Sequence, residues 1–198
     1  MFTGIIENTG IIKNILKKQN GINLLIETEN NLVSQLKKGG SIAVNGVCLT
    51  VTDFSKTSFF VDVVKDTLSI TTFSLLKRGE IINLELPLKL GDRLEGHILE
   101  GHIDGIGEIL SIVKGGLQTN VKIKVPYRLS KYIVENGSVG IDGISLTVKE
   151  IKNNILKTTL IPFTIANTNF KQKRTGLKVN IEVDRTGKYI EKYLKKIS

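Results

Sequence analysis

Both histidines of the chain lie close together, in the segment Glu95-Gly96-His97-Ile98-Leu99-Glu100-Gly101-His102-Ile103-Asp104-Gly105. Two histidines that share a metal ion are spaced by four residues on a helix, or by an even number on a strand, so that both rings lie on one face. The spacing here is five, which predicts no metal site. His102 follows a glycine, where a ligand can approach the backbone, and imidazole titrates near neutral pH. His102 is therefore either a proton-transfer residue or an ordinary surface histidine.

The single cysteine, Cys48, excludes an intrachain disulfide and a Cys-x-x-Cys metal or redox site. It lies in an apolar stretch, where a lone cysteine is more often a small core residue than a nucleophile. A similar stretch later in the chain carries Ser145 at the matching position. The exchange of a thiol for a hydroxyl favours a site of modest polarity. No Asp, His and Ser order resembles a catalytic triad, so acyl transfer is not predicted.

This match belongs to an internal repeat with an offset of 97 residues. Residues 41–51 match residues 138–148, and the same offset aligns, without a gap, Gly4 with Gly101, Thr67 with Thr164, and Asn83-x-Glu85 with Asn180-x-Glu182. A fixed period of this kind is the mark of a duplicated structural unit. The chain is predicted to contain two copies of one domain, at residues 1–96 and 97–185.

Each copy has mostly the pattern of β-strands. In the first copy, alternating or short apolar runs cover residues 10–16, 23–27, 41–52, 58–64 and 80–86, separated by turns rich in Gly, Asn and Lys. Short strands at this spacing are typical of a small closed barrel. Two helical stretches are predicted to interrupt each copy, at residues 31–38 and 67–78 and at residues 128–135 and 164–175.

The last segment, residues 186–198, has no counterpart in the first copy and has the period of a helix. Its apolar stripe consists of Tyr189, Ile190, Tyr193, Leu194 and Ile197. A helix of about 12 residues is marginal alone in water, so this stripe must pack on something. Two arrangements remain open: packing on its own barrel, and bundling with the same helix of other subunits.

Composition and charge limit the partners. The formal net charge is +9, but 23 of the 28 basic residues are Lys and there is no Trp, so a nucleic-acid partner is not predicted. No apolar run approaches the roughly 20 residues that cross a bilayer, and the start of the chain lacks the features of a signal peptide. We therefore expect a cytoplasmic protein without a membrane partner. From Lys171 onward there are nine basic and three acidic residues, which leaves attraction of an anionic partner open.

Taken together, these motifs resemble the riboflavin synthase family of homotrimeric enzymes. The resemblance spans nearly the whole chain and rests on residues 1–6, 45–51, 96–105, 140–148, 161–162 and 180–184. It implies an all-β fold of two tandem, pseudo-symmetric six-stranded Greek-key barrels. A C-terminal helix, residues 186–198, is implied to hold a homotrimer. The resemblance implies no cofactor and no metal.

The implied reaction is the dismutation of two molecules of 6,7-dimethyl-8-ribityllumazine, a pteridine, into riboflavin and 5-amino-6-(D-ribitylamino)uracil. Two identical substrates need two similar pockets, and holding reactants in geometry can remove up to roughly 7–11 kcal/mol of a barrier. The resemblance implies that the pair forms between the first barrel of one subunit and the second barrel of its neighbour. It leaves open which barrel holds the donor and whether the trimer associates with lumazine synthase.

The resemblance also implies the residues of the site. Matched segments are expected to line the pockets: Gly4, Ile5 and Ile6 with Gly101, His102 and Ile103; Cys48, Leu49 and Thr50 with Ser145, Leu146 and Thr147; and Asp62, Val63, Val64, Lys65, Asp66 and Thr67 with Thr159, Leu160, Ile161, Pro162, Phe163 and Thr164. The implied catalytic residues are His102, Cys48, Ser145, Thr147 and Asp184. His102 is expected to shuttle a proton, Cys48 or Ser145 to assist addition or stabilise a carbanion, and Asp184 to orient polar groups.

The chain departs from the family pattern at Phe163, because members commonly have Glu between Ile-Pro and Thr at this point. The first copy keeps an acid, Asp66, at the matching position. Asn136 also stands where some members carry Lys. A related protein that binds a lumazine without turnover is the alternative, but such relatives have altered motifs in one half. Here both copies keep the motif around Cys48 and Ser145, which favours the enzyme.

Overall fold

The computed structural model describes residues 1–195, apart from the side chain of Asn30. It contains two closed antiparallel barrels of six strands each, as the sequence predicts. The first consists of β1 (Asn8–Lys18), β2 (Gly21–Glu27), β3 (Ser41–Val44), β4 (Val47–Phe54), β5 (Ser58–Val64) and β6 (Ile81–Glu85). The second consists of β7 (Gly105–Gly115), β8 (Gln118–Lys124), β9 (Ser138–Ile141), β10 (Ile144–Lys152), β11 (Ile155–Leu160) and β12 (Lys178–Val183). Around the barrels the orders are β1-β2-β5-β4-β3-β6 and β7-β8-β11-β10-β9-β12.

Alternation along the strands fills each barrel with aliphatic and aromatic side chains. In β5, for example, Phe59, Val61 and Val63 are buried in the core, whereas Asp62 and Val64 face outward. Full burial of one such apolar side chain stabilises the fold by roughly 1.5–3 kcal/mol. The alternation therefore leaves every second strand residue on the outer surface, where it can contact a ligand.

One predicted strand, residues 41–52, is a hairpin of β3 and β4. The turn residues Asn45 and Gly46 both have positive φ, 44° and 78°, and Asp142 and Gly143 repeat this with 47° and 82°. Two central residues with positive φ form the tight turn that matches the twist of paired strands, and Asn-Gly and Asp-Gly are its preferred sequences. The prediction was wrong here because both turns lie inside otherwise apolar runs.

The helices that connect strands within each copy of the repeat are shorter than predicted. They are α1 (Asn30–Val33), α2 (Lys65–Ile70), α3 (Tyr127–Ser130) and α4 (Pro162–Asn167), with 3₁₀ helices at Thr72–Leu75 and Asn169–Gln172. Thr71 and Thr168 are extended, with φ of −123° and −129°, and each hydroxyl accepts the N–H of the second residue after it. A side chain that caps a new helical turn ends the preceding one, so each predicted helix at 67–78 and 164–175 is split.

The two barrels meet through buried polar side chains around the hairpin turns. Asn83 Nδ2 donates to the carbonyl of Asp142 at 2.9 Å, and its counterpart Asn180 Nδ2 donates to the carbonyl of Asn45 at 2.9 Å. The Asp142 carboxylate also pairs with Lys173 Nζ at 2.7 Å. The two asparagine bonds join one barrel to the hairpin turn of the other, and their buried acceptors fix how the barrels are joined.

The C-terminal helix α5 (Arg185–Leu194) begins one residue before its predicted start, and the predicted residues 196–198 lie outside the described part of the chain. The Asp184 carboxylate caps it by accepting the N–H of Thr186 at 2.8 Å. In α5, Glu191 bonds to Lys131 and Tyr132 of the second barrel. None of the helices within residues 1–195 is long and apolar enough to cross a membrane.

Candidate active site

The chain segments that precede the two barrels run antiparallel to each other between them. Phe2 N–H donates to the Leu99 carbonyl at 2.8 Å, and Leu99 N–H donates back to the Phe2 carbonyl at 3.0 Å. His97 N–H donates to the carbonyl of Thr3 at 3.0 Å. We call residues 2–6 the first crossing segment and residues 99–103 the second crossing segment.

Each crossing segment docks on the barrel formed by the other copy of the repeat. In the first, the Gly4 carbonyl accepts the N–H of Ser145 at 2.8 Å, and Ile6 packs against the core of the second barrel. In the second, the Gly101 carbonyl accepts the N–H of Cys48 at 3.0 Å, and Ile103 belongs to the core of the first barrel. The predicted site residues are therefore brought together in exchanged groups.

We call the group around Cys48 the first site and the group around Ser145 the second site. The first site combines residues 48–50 and 62–67 with residues 101–103 of the second crossing segment. The second site combines residues 145–147 and 159–164 with residues 4–6 of the first crossing segment. Each site thus contains segments from both copies of the repeat.

Glycine is required where each crossing segment meets its site. Gly4 and Gly101 have φ of +78° and +80°, a region that other L-residues enter only at a cost. A Cβ on Gly4 would lie 2.6 Å from Cβ of Ser145, and one on Gly101 would lie 2.4 Å from Cβ of Cys48. The close approach of each segment therefore depends on the missing side chain.

Only part of the predicted lining can offer side chains to a ligand. Five of the predicted residues are buried in the barrel cores: Leu49, Val63, Ile103, Leu146 and Leu160. Because neighbours on a strand face opposite sides, the residues on either side of the leucines in β4 and β10 are directed away from the core. These are Cys48 and Ser145, both half-buried, and Thr50 and Thr147, both exposed. The five core residues can offer a ligand only their backbone groups.

The first site carries charged groups at the end of β5. The Asp62 carboxylate accepts hydrogen bonds from Lys18 Nζ at 2.8 Å and from Asn23 Nδ2 at 2.7 Å. These bonds lower the pKa of Asp62, so it is ionised at neutral pH. Lys65 and Asp66 follow, exposed, in the first turn of α2.

The second site has no charged residue in the matching stretch, residues 159–164. Thr159, the counterpart of Asp62, donates its hydroxyl to Asn120 Oδ1 at 3.2 Å. Pro162 begins α4, and Phe163 stands with 72% of its surface exposed beside the exposed Ile161. The departure at Phe163 thus replaces an acid with an apolar ring on an accessible surface.

His102 lies at the open side of the first site, with 74% of its side chain exposed. Its Nδ1 is 3.7 Å from Oε2 of Glu100, whose Oε1 accepts a hydrogen bond from Arg185 Nη1 at 2.8 Å. The hydrogen bond from Arg185 lowers the pKa of Glu100. The ring of His102 thus lies beside an ionised carboxylate.

His97 is a site residue to which the sequence assigned no role. Its Nδ1 lies 2.7 Å from Oγ of Ser145, within hydrogen-bonding distance. Burial lowers the pKa of His97, although the nearby Asp184 acts in the opposite direction. For Asp184 itself, burial acts to raise the pKa, but bonds from Thr186 and the charges of neighbouring basic groups outweigh it and lower the pKa. At the second site the Ser145 hydroxyl and the His97 imidazole are thus within hydrogen-bonding distance, and the Asp184 carboxylate is near enough to act on the ring through its charge.

One clue to His97 was present in the sequence, since Gly96 precedes it. A Cβ on Gly96 would lie 2.0 Å from the Thr3 carbonyl and 3.0 Å from Cβ of Ser145. A glycine at such a close approach marks where the backbone touches a site. Across residues 1–195, no group of three or more His, Cys, Asp or Glu side chains is placed to hold a metal ion.

Comparisons with known proteins match the repeated architecture of the chain. The lumazine binding domain family matches the chain twice, at residues 3–87 and 100–184. A riboflavin synthase of Actinobacillus pleuropneumoniae is 44% identical over 99% of this chain and 91% of its own length, and one of Bacillus subtilis (strain 168) is 41% identical with the same coverage. The chain belongs to the riboflavin synthase family. In this member of the riboflavin synthase family, both matches to the lumazine binding domain begin inside a crossing segment, at residues 3 and 100.

Solved structures give the same fold. LumP complexed with riboflavin has a TM-score of 0.87 at 30% identity, covering 93% of this chain and 100% of LumP. LumP complexed with 6,7-dimethyl-8-(1'-D-ribityl) lumazine has a TM-score of 0.84 at 30% identity, covering 92% and 99%. The two-barrel fold of this member of the riboflavin synthase family is therefore similar to the fold of LumP.

Proposed function

We propose that this chain is a riboflavin synthase, which converts two molecules of 6,7-dimethyl-8-ribityllumazine into riboflavin and 5-amino-6-(D-ribitylamino)uracil. One molecule transfers a four-carbon unit to the other, without a cofactor, in the cytoplasm. The observation that carries the proposal is the pair of matched sites, each combining segments of both copies of the repeat. Two similar sites suit a reaction between two identical molecules, because binding supplies the encounter of the reactants.

Binding of each lumazine is assigned to the strand ends at the two sites. Backbone groups beside the buried Leu49 and Leu146 would pair with the edge of the pyrimidinedione. Hydroxyl and carboxylate groups on the outer faces, such as Thr50 and Asp62, would hold the ribityl chain. A few fixed polar groups on a mainly apolar surface are the usual means of orienting a small ligand.

The chemistry needs a proton to leave the C7 methyl group of one lumazine and a nucleophile to add at C7 of the other. His102 is the proposed proton shuttle, because it is accessible and faces the Glu100 carboxylate. At the second site, Ser145 is proposed to assist addition with the ring of His97 taking its proton, since burial keeps that ring neutral. Cys48 holds the matching position in the first site, and Thr147 and Asp184 are proposed to orient polar groups.

A homotrimer is proposed to join the first site of one subunit to the second site of its neighbour. The support is α5, whose Glu191 faces its own barrel while Tyr189 and Ile190 are 56% and 55% exposed. Exposed apolar side chains at helical spacing favour the bundled arrangement over packing on the same chain. Sedimentation of the purified protein, alone and with lumazine synthase, tests the trimer and that association.

Incubation of the purified protein with 6,7-dimethyl-8-ribityllumazine tests the function. We expect the riboflavin absorption band to appear, with two lumazines consumed for each riboflavin formed. A change in lumazine fluorescence without riboflavin would contradict the enzyme and leave a binding protein.

The variant His102→Ala tests the proton shuttle in the same assay. We expect its turnover to fall by about 100-fold, the order of a lost general acid–base group. Turnover within a few-fold of the parent, with the fold intact by circular dichroism, would exclude this role.

A further inference from the structure

Two buried glutamates, matched by the repeat, hold the two crossing segments. Glu85 ends β6 and Glu182 lies in β12, and they are 3% and 5% exposed. Neither is among the residues that the resemblance assigns to the site. Each carboxylate receives its hydrogen bonds from a crossing segment.

Glu85 binds the first crossing segment. Its Oε1 accepts the N–H of Thr3 at 2.6 Å and the hydroxyl of Thr3 at 2.7 Å, and its Oε2 accepts the N–H of Gly4 at 3.1 Å. The carbonyl of the same Gly4 accepts the N–H of Ser145. Gly4 thus links the two barrels: its N–H binds the Glu85 carboxylate of the first barrel, and its carbonyl binds Ser145 of the second site.

Glu182 binds the second crossing segment in the same way. Its Oε1 accepts the N–H of Glu100 at 2.7 Å, and its Oε2 accepts the N–H of Gly101 at 3.1 Å. The carbonyl of Gly101 accepts the N–H of Cys48. His102, the proposed proton shuttle, directly follows Gly101. The bond from Gly101 to Glu182 therefore also fixes the backbone position from which His102 extends.

We propose that Glu85 and Glu182 are positioning residues that act across the barrel interface, Glu85 on the second site and Glu182 on the first. That the two sites are reaction sites rests on the proposed function. The coupling of each glutamate to the opposite barrel does not rest on it. Removal of one carboxylate should loosen a single crossing segment and disturb the site to which that segment is docked.

The chemistry of the two groups supports a positioning role. In each, both carboxylate oxygens accept backbone N–H groups, and hydrogen bonds to an ionised acceptor are roughly twice as strong as neutral ones. Burial raises the pKa of Glu85 to about 6 and raises that of Glu182. A buried carboxylate costs free energy, and a Gln in its place would turn an amide N–H₂ toward a backbone N–H. The two carboxylates thus serve to fix the positions of the crossing segments rather than to increase the free energy of unfolding.

The single cysteine offers a direct readout, because it lies in the first site beneath Gly101. We expect Glu182→Gln to raise the rate of Cys48 alkylation by iodoacetamide at least about fivefold, the order expected when a charge-assisted hydrogen bond is lost. The matched control is Glu85→Gln, which should leave this rate within about twofold of the parent.

An exchange of the two matched side chains moves the reporter to the second site. In a Cys48→Ser, Ser145→Cys background, Glu85→Gln should raise the alkylation rate and Glu182→Gln should leave it unchanged. The two experiments form a crossed pair in which each variant is the control for the other. Neither needs turnover, so they remain decisive if the riboflavin assay fails.

Equal effects of both variants on one thiol, or an effect confined to the barrel that carries the substitution, would overturn the proposal. Where a variant does not fold, hydrogen exchange on the unmodified protein decides. We expect the amides of Thr3, Gly4, Glu100 and Gly101 to be protected. Exchange of these amides at the rate of an unstructured chain would equally overturn it.

Discussion

The first and second sites share one backbone frame but carry different side chains. Both have a glycine of positive φ whose carbonyl accepts the N–H of the site's cysteine or serine, Cys48 or Ser145. Both also have a buried glutamate that binds the N–H of this glycine. Around this frame the first site carries Asp62, Lys65 and Asp66, whereas the second carries Thr159, Pro162 and Phe163. The frame is symmetric and the polar lining is not.

This difference suits a reaction in which two identical molecules take different roles. A symmetric frame gives both molecules the same mode of attachment through backbone groups. Asymmetric side chains then give each molecule a different electrostatic environment, as donor and acceptor require. The imidazoles follow the same division, because His102 is exposed at the first site and His97 is half-buried beside Ser145 at the second.

The largest expected effect comes from breaking the shared frame. Gly101→Ala or Gly4→Ala should each reduce turnover by at least about 100-fold, because the new Cβ would displace the crossing segment and small misplacements are costly to catalysis. Steady-state assay of riboflavin formation measures this. Gly79→Ala is the control, since Gly79 has φ of +88° but no atom within 4 Å of an added Cβ. Equal losses in all three variants would assign the effect to backbone strain alone.

A second large effect is expected from separating the subunits of the proposed trimer. Ile190→Lys places a charge on the exposed apolar stripe of α5 and should convert the proposed trimer to monomers, with turnover reduced about 30-fold or more, because an unpaired charge in an apolar contact is costly. Sedimentation and the riboflavin assay measure the two effects. Full activity of a monomeric variant would show that both sites of one chain suffice.

Smaller effects are expected from the side chains that distinguish the sites. Asp66→Ala should weaken lumazine binding at the first site, and Phe163→Glu should strengthen it at the second, each by about fivefold, the scale of one accessible charge-assisted hydrogen bond. Fluorescence titration with the substrate, which resolves two affinities, measures both. Shifts in the same direction for the two variants would remove these positions from the comparison.

The last effect is on stability, rather than on turnover or binding, and concerns Glu85. Because burial raises its pKa from 4.5 to about 6, the folded chain binds this proton more tightly than the unfolded chain. Its contribution is full below pH 4.5 and is lost as the pH rises through about 6, a change of roughly 2 kcal/mol. The free energy of unfolding of the parent, minus that of Glu85→Gln, should fall by this amount. Urea unfolding at fixed chain concentration measures it, and a pH-independent difference would refute it.

The two-barrel architecture was predictable because one offset carries the same strand pattern into both copies. The exchange of crossing segments was not, since residues 4–6 and 101–103 match each other equally well whichever barrel they dock on. The role of His97 could not be predicted from the repeat for a related reason, because at an offset of 97 it has no counterpart in the first copy. The preceding Gly96 was the sequence clue, and the contact of the His97 ring with Ser145 assigns it to the second site.

The predicted site residues divide in the same way. Strand alternation explains why Cys48 and Thr50 are directed outward and Leu49 inward, and this follows from the sequence pattern. The roles of His102, Thr147 and Asp184 stay predictions, because they depend on where two lumazines lie. The glutamates at positions 85 and 182 were visible as a repeated Asn-x-Glu motif, but their partners lie about 80 residues away in the chain.

A mixing experiment tests most directly whether the two sites work as a pair between neighbouring subunits. Gly101→Ala chains keep an intact second site, and Gly4→Ala chains keep an intact first site. In a mixed trimer, one neighbouring pair regains both intact sites, so a refolded equal mixture should recover about a quarter of the parent activity. No recovery, with mixed trimers demonstrated by mass spectrometry, would contradict a shared site and place both reactants on one chain.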